Sequence, residues 1–83
     1  MSYSIEWHPQ AFKFLENLPM DIAERILEKL DIVKEEPFRF LQHFEGEHYK
    51  LRIGDYRALI DIDFKQKILF IRVLDKRSRV YKG

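Results

Sequence analysis

The second half of this chain gathers the side chains that could handle a phosphate. Between residues 48 and 83 stand Lys50, Arg52, Arg57, Arg72, Lys76, Arg77, Arg79 and Lys82, with His48 at the start and Tyr81 near the end. A guanidinium is a planar fork of N–H donors that matches the paired oxygens of a phosphodiester, and an ammonium adds a compact point charge. An aromatic ring beside such cations can stack on an unpaired base. Tyr81, which could stack on a base or transfer a proton, and Phe70 both supply rings here, although Phe70 reads more simply as packing at a sheet edge. The chemistry open to such a set is holding a polyanion, with single-stranded RNA the natural candidate.

Other chemistries have little to work with. The chain has no cysteine, which removes disulfides and thiolate metal sites. His8 and His43 show no paired ligand spacing, so neither a metal nor a cofactor is expected. Asp61 and Asp63 alternate onto the same side as the cations and read as groups that neutralise them, not as paired catalytic carboxylates.

The charge is also unevenly divided. Residues 1–47 carry 5 Lys and Arg against 10 Asp and Glu, a balance of −5. Residues 48–83 carry 10 against 4, a balance of +6, hidden inside a net charge of +1. An acidic scaffold bearing a basic surface points to a polyanionic partner unless ion pairs between the halves consume the charge.

Elements that could position these residues follow from the periodicity. Tyr3, Ile5 and Trp7 alternate with Ser4 and Glu6, which gives a short strand. Pro9 suits the first turn of a helix reaching about Asn17, with Phe12 and Leu15 in its buried stripe. Leu18-Pro19 breaks the chain, and a second helix opens at Met20 or Asp21 and continues to about Glu36. Ile22, Ile26, Leu30 and Val33 recur at intervals of four and three, with Ala23 and Leu27 widening the stripe. Phe38, Phe40, Leu41 and Phe44 are expected to pack a connection without clean period onto the core.

Three strands come next, over residues 48–53, 56–63 and 68–74, joined by turns at Gly54-Asp55 and Lys65-Gln66. The order is β-α-α-β-β-β, an α+β fold with the helix pair on one face of a mostly antiparallel four-stranded sheet. One face must bury, and the apolar choice is Tyr49, Leu51, Ile53, Ala58, Ile60, Ile62, Leu69, Ile71 and Val73. The period of two then sends Lys50, Arg52, Arg57 and Arg72 to the other face, where like charges on neighbouring strands cost stability unless an anion lies among them.

Eighty-three residues suit one domain, covering 1–83, and a chain this short buries only about 60–65% of its unfolded surface. The hydrophobic content of 46% and seven Phe argue against disorder. No apolar run approaches the roughly 20 residues of a membrane span, and no signal-peptide pattern opens the chain, so a cytoplasmic location is expected.

At this point the residues resemble a known family. The run Tyr49-Lys50-Leu51-Arg52-Ile53-Gly54-Asp55-Tyr56-Arg57 is similar to the hairpin motif of the RelE/ParE toxin superfamily, and Val73-Leu74-Asp75-Lys76-Arg77-Ser78-Arg79-Val80-Tyr81 resembles its terminal motif. The opening strand, Pro9-Gln10-Ala11 and Leu18-Pro19 extend the likeness over nearly the whole chain. The resemblance implies a RelE-type toxin of a type II toxin–antitoxin system, an endoribonuclease (mRNA interferase) that cuts messenger at the ribosomal A site and inhibits translation.

The family mechanism is metal-free: the ribose 2′-hydroxyl attacks the adjacent phosphate to leave a 2′,3′-cyclic phosphate and a 5′-hydroxyl. Position by position, the resemblance makes Lys50 and Arg52 candidates to assist 2′-hydroxyl deprotonation and stabilise the transition state. Arg57 would hold the non-bridging oxygens, Arg77 would assist the leaving 5′-oxygen, and Tyr81 would stack on a base. Arg72, Lys76, Arg79, Lys82 and His48 would bind RNA. Lys50 is the first candidate for the proton acceptor; His48 is the one imidazole nearby and reads more simply as a surface residue. Implied partners are a RelB-like antitoxin, the ribosome and messenger, no membrane, and operator DNA reached through the antitoxin in a hetero-oligomer. Apolar surface around the helices and sheet edges is expected to stay partly exposed without that antitoxin. Two other readings are a ParE-type inhibitor of DNA gyrase and a non-catalytic antitoxin- or RNA-binding homologue.

Overall fold

The alternating amino-terminal residues form β1 (Ser4–Trp7), a strand at one edge of the sheet. The structure, a computed structural model, describes residues 2–46 and 48–76. Helix α1 (Pro9–Glu16) starts with Pro9, where a missing N–H leaves nothing unsatisfied. His8 Nδ1 caps it by accepting from the Gln10 backbone N–H at 3.2 Å, and the Asn17 side-chain amide donates to the Lys13 carbonyl at 3.0 Å. Ala11 and Leu15, four residues apart, are its buried positions.

Helix α2 (Met20–Val33) buries Ile26, Leu30 and Val33 at the spacing of four and three. It ends earlier than the pattern predicts, because Pro37 disfavours a helical residue before it, and Glu36 adopts φ −142° and ψ 69°. Leu27 and Ile32 are exposed, so the buried stripe is narrower than expected. A short helix, α3 (Pro37–Phe40), begins at Pro37 and leads into a strand, β2 (Gln42–Glu45). Within this connection Leu41 is buried, but Phe38 stays exposed and stacks on Phe64, with ring centroids 5.8 Å apart.

The strands β3 (His48–Ile53), β4 (Tyr56–Asp63) and β5 (Ile68–Lys76) complete a sheet in the order β1-β5-β4-β3-β2. It has five strands where four were expected, because β2 pairs antiparallel with β3. That edge strand is four residues long and carries a register shift between His43 and Glu45, which erases the alternation that would have announced it. β1 runs parallel to β5 and the other pairs are antiparallel. Gly54 takes φ +58° in the β3–β4 turn, a backbone region that glycine enters without steric cost.

Both helices cover one face. α1 lies against β5, and Ile22 and Ile26 of α2 share a depression with Ile53 and Tyr56 at the β3–β4 turn. Leu51, Ile53, Ala58, Ile60, Ile62, Leu69 and Ile71 point into this layer and are buried, as the alternation requires. Val73 departs from the expectation. The pairing Leu59↔Val73 is followed by Ile60↔Ile71, so Arg72 is the extra residue of a bulge in β5. Beyond the bulge the parity inverts: Leu74 is buried at 3% exposure, and Val73, at 38%, faces the other way. Among the described residues, no helix is long and apolar enough to cross a membrane.

Candidate nucleic-acid interface

The face of the sheet opposite the helices is laid out in cross-strand rows. In one row Arg52 of β3 lies opposite Arg57 of β4, and Arg57 opposite Asp75 of β5. The next row sets Lys50 between Gln42 and Leu59, with Val73 beyond. A third sets His48 opposite Asp61, which faces Phe70.

The first two rows concentrate positive charge. Arginines directly opposite each other repel, and an anion held between them would relieve the cost. Asp75 offers one carboxylate beside Arg57, and its Oδ1 also accepts from the Lys76 backbone N–H at 2.7 Å. Arg57 is the buried charged residue of the sheet, only 6% exposed although it lies on the side away from the helices. Lys50 is half-buried and Arg52 is exposed. The cations are therefore layered, with Arg57 deep and Arg52 outermost.

The third row is balanced. Asp61, with a side chain 20% exposed, accepts from His48 Nδ1 at 2.5 Å through one oxygen and from Arg72 Nη1 at 3.1 Å through the other. The expectation that Asp61 neutralises the basic face is met on these two partners. Asp63 instead holds the following turn, accepting from the backbone N–H groups of Lys65 and Gln66 at 3.0 Å each. A shallow depression beside Asp61 is lined by His48, Leu59, Arg72 and Val73.

Register therefore brings His48, Lys50, Arg52, Arg57 and Arg72 onto one face. Lys76 lies opposite Tyr56, a residue packed against the core, so alternation puts it on the helix-covered side. Phe70 packs edge-on to His8, with ring centroids 6.4 Å apart. Arg77, Arg79, Tyr81 and Lys82 lie outside the described residues.

Two features escaped the sequence reading. Asp75 joins the Arg57 row only because the bulge inverts parity, and nothing in the sequence marks that inversion. The His48–Asp61 link could have been found by counting outward from the Gly54-Asp55 turn, pairing Ile53 with Tyr56 and so on to His48 and Asp61.

A small α+β fold with one cationic face is the class these features define. A family model described as the ParE toxin of the type II toxin–antitoxin system parDE matches residues 5–81. The chain belongs to this toxin family, and its structural relatives are RelE toxins. It is 33% identical to the toxin in the archaeal RelE–RelB complex of Pyrococcus horikoshii OT3, over 95% of this chain and 99% of that one, with a TM-score of 0.78. The toxin–antitoxin complex RelBE2 of Mycobacterium tuberculosis contains a chain 25% identical, over 93% of this chain and 100% of that one, with a TM-score of 0.83. A Methanocaldococcus jannaschii protein assigned as toxin RelE1 is 27% identical, over 100% of this chain and 99% of its own length.

Proposed function

We propose that this toxin is a ribosome-dependent endonuclease that cuts messenger RNA at the A site and so halts translation. The observation that carries the reading is the set of Lys50, Arg52 and Arg57 on adjacent strands of one sheet face, with Arg57 buried beside Arg52 and Asp75. A gyrase inhibitor has no need for forked cations arranged around a phosphate.

The reaction needs only groups of this kind. The ribose 2′-oxygen loses its proton and bonds to the adjacent phosphorus, the bond from phosphorus to the 5′-oxygen breaks, and that oxygen gains a proton. Charge rises on the non-bridging oxygens at the transition state, where preorganised donors act most strongly. Arg57 holds those oxygens, while Lys50 and Arg52 favour the 2′-alkoxide. Arg77 assists the leaving oxygen and Tyr81 stacks on a base. Arg72, His48, Arg79 and Lys82 hold flanking RNA, whereas Lys76, expected among them, lies on the helix-covered side and takes no part.

A RelB-like antitoxin restrains the toxin in a cytoplasmic hetero-oligomer and carries it to operator DNA. Leu27 and Ile32 on α2 and Phe12 on α1 leave apolar surface that such a partner would cover. The relatives from Pyrococcus and Mycobacterium were solved in complex with their antitoxins.

Mapping cuts on ribosome-bound messenger by primer extension tests the reading. Cuts within codons, bearing 5′-hydroxyl ends, are expected. Gyrase-linked DNA breaks would replace it with the ParE-type activity, and neither product would leave a binding protein.

A further inference from the structure

We propose that His48 and Asp61 form the proton-accepting dyad of this site, with Nε2 of His48 taking the 2′-hydroxyl proton and Asp61 positioning the ring. The inference rests on the messenger-cleaving reading above and assigns the base that the cation cluster does not supply.

The geometry is set by strand register. His48 opens β3 directly opposite Asp61 of β4. Its Nδ1 lies 2.5 Å from Asp61 Oδ1, and the second carboxylate oxygen accepts from Arg72 Nη1 at 3.1 Å. Arg72 sits at the β5 bulge, one residue beyond the partner of Ile60. A carboxylate held from two sides holds the ring in turn. With Nδ1–H donating to Asp61, the lone pair belongs to Nε2, on the side of the ring away from the carboxylate. The side chain of His48 is 38% exposed and lines the depression shared with Leu59, Asp61, Arg72 and Val73.

Lys50 follows two residues later on the same strand face, about 7 Å along the strand. Arg52, with Arg57 opposite it, stands two residues further, about 13 Å from His48. A phosphate at Lys50 that the longer arginine side chains reach can then present its ribose to the imidazole. Nε2 takes the proton, the 2′-oxygen bonds to phosphorus, the bond to the 5′-oxygen breaks, and that oxygen takes a proton from solvent. Lys50 acts by stabilising the alkoxide. Among the described residues, charged and titratable groups near the ring include Asp61 on β4, Arg72 on β5, Lys50 on its own strand, and Glu45 on β2, its register partner on the other side.

Single-turnover cleavage of ribosome-bound messenger, followed across pH, tests the dyad. His48→Ala should lower the rate by about 10²- to 10⁴-fold, in the range of a lost general base. It should also flatten the rise of rate with pH, and added imidazole should restore part of the activity. His48→Gln, which keeps a polar side chain of similar reach, should lose the same rise. Asp61→Asn should lower the rate less, whereas Lys50→Ala should lower it and keep the rise. Circular dichroism of each variant reports the fold separately. If His48→Ala keeps the wild-type pH profile while the wild type cleaves, the dyad is overturned and the messenger-cleaving reading survives. A wild-type protein that cleaves no messenger overturns both.

Discussion

The two faces of the sheet are made from the same strands and obey different rules. On the covered face Leu51, Ala58, Ile60, Leu69 and Ile71 interlock with Ile26, Leu30 and Leu15 from the helices, and each buried side chain favours the fold. On the other face the intervening residues set Arg52 against Arg57, a pairing that opposes folding unless an anion intervenes. One face is explained by packing alone. The other gathers like charges that packing does not call for, and that difference marks the open face as the candidate functional one.

The sharpest way to break the comparison is at the bulge, where neighbours on β5 belong to opposite faces. Leu74→Ala should destabilise the protein by about 2–5 kcal/mol in urea titration, as expected for a buried leucine. Val73→Ala should cost less than about 1 kcal/mol; equal losses at the two positions would mean that the parity does not invert. On the open face, Arg57→Ala should reduce messenger cleavage by about 100- to 1000-fold while circular dichroism stays native, the loss typical of one oxyanion donor. Retained growth arrest in cells expressing that variant would remove Arg57 from the mechanism. The smallest effect concerns salt. Lys50→Ala should lower the slope of log affinity against log salt by about 0.7 for a short single-stranded RNA, measured by fluorescence anisotropy. An unchanged slope would place Lys50 away from the phosphates.

Much of this was legible without coordinates, for identifiable reasons. The hairpin from His48 to Asp61 has strict alternation and a glycine turn, so its register and the facing of Lys50, Arg52 and Arg57 follow by counting. The amphipathic spacing of Ile26, Leu30 and Val33 identified the core of α2. The edge strand and the width of the α2 stripe were not legible. β2 is short, lies at an edge and contains a shift, so it has no period to read. Leu27 sits beside the buried stripe and yet stays exposed, because a helix packed on one side against a sheet buries fewer positions than its apolar residues suggest.

By itself the sequence determined the two long helices and four of the strands, the face of each of these strands before the bulge, and the family to which the hairpin motif belongs, since these depend on spacing along the chain. Only the tertiary structure decided which charges meet across strands. It joined His48 and Arg72 through one carboxylate, set Asp75 beside Arg57, and sank Arg57 to 6% exposure while leaving Arg52 in solvent. The physical reason is that burial and the meeting of charges depend on register between strands, and a single extra residue, Arg72, reverses every facing beyond it.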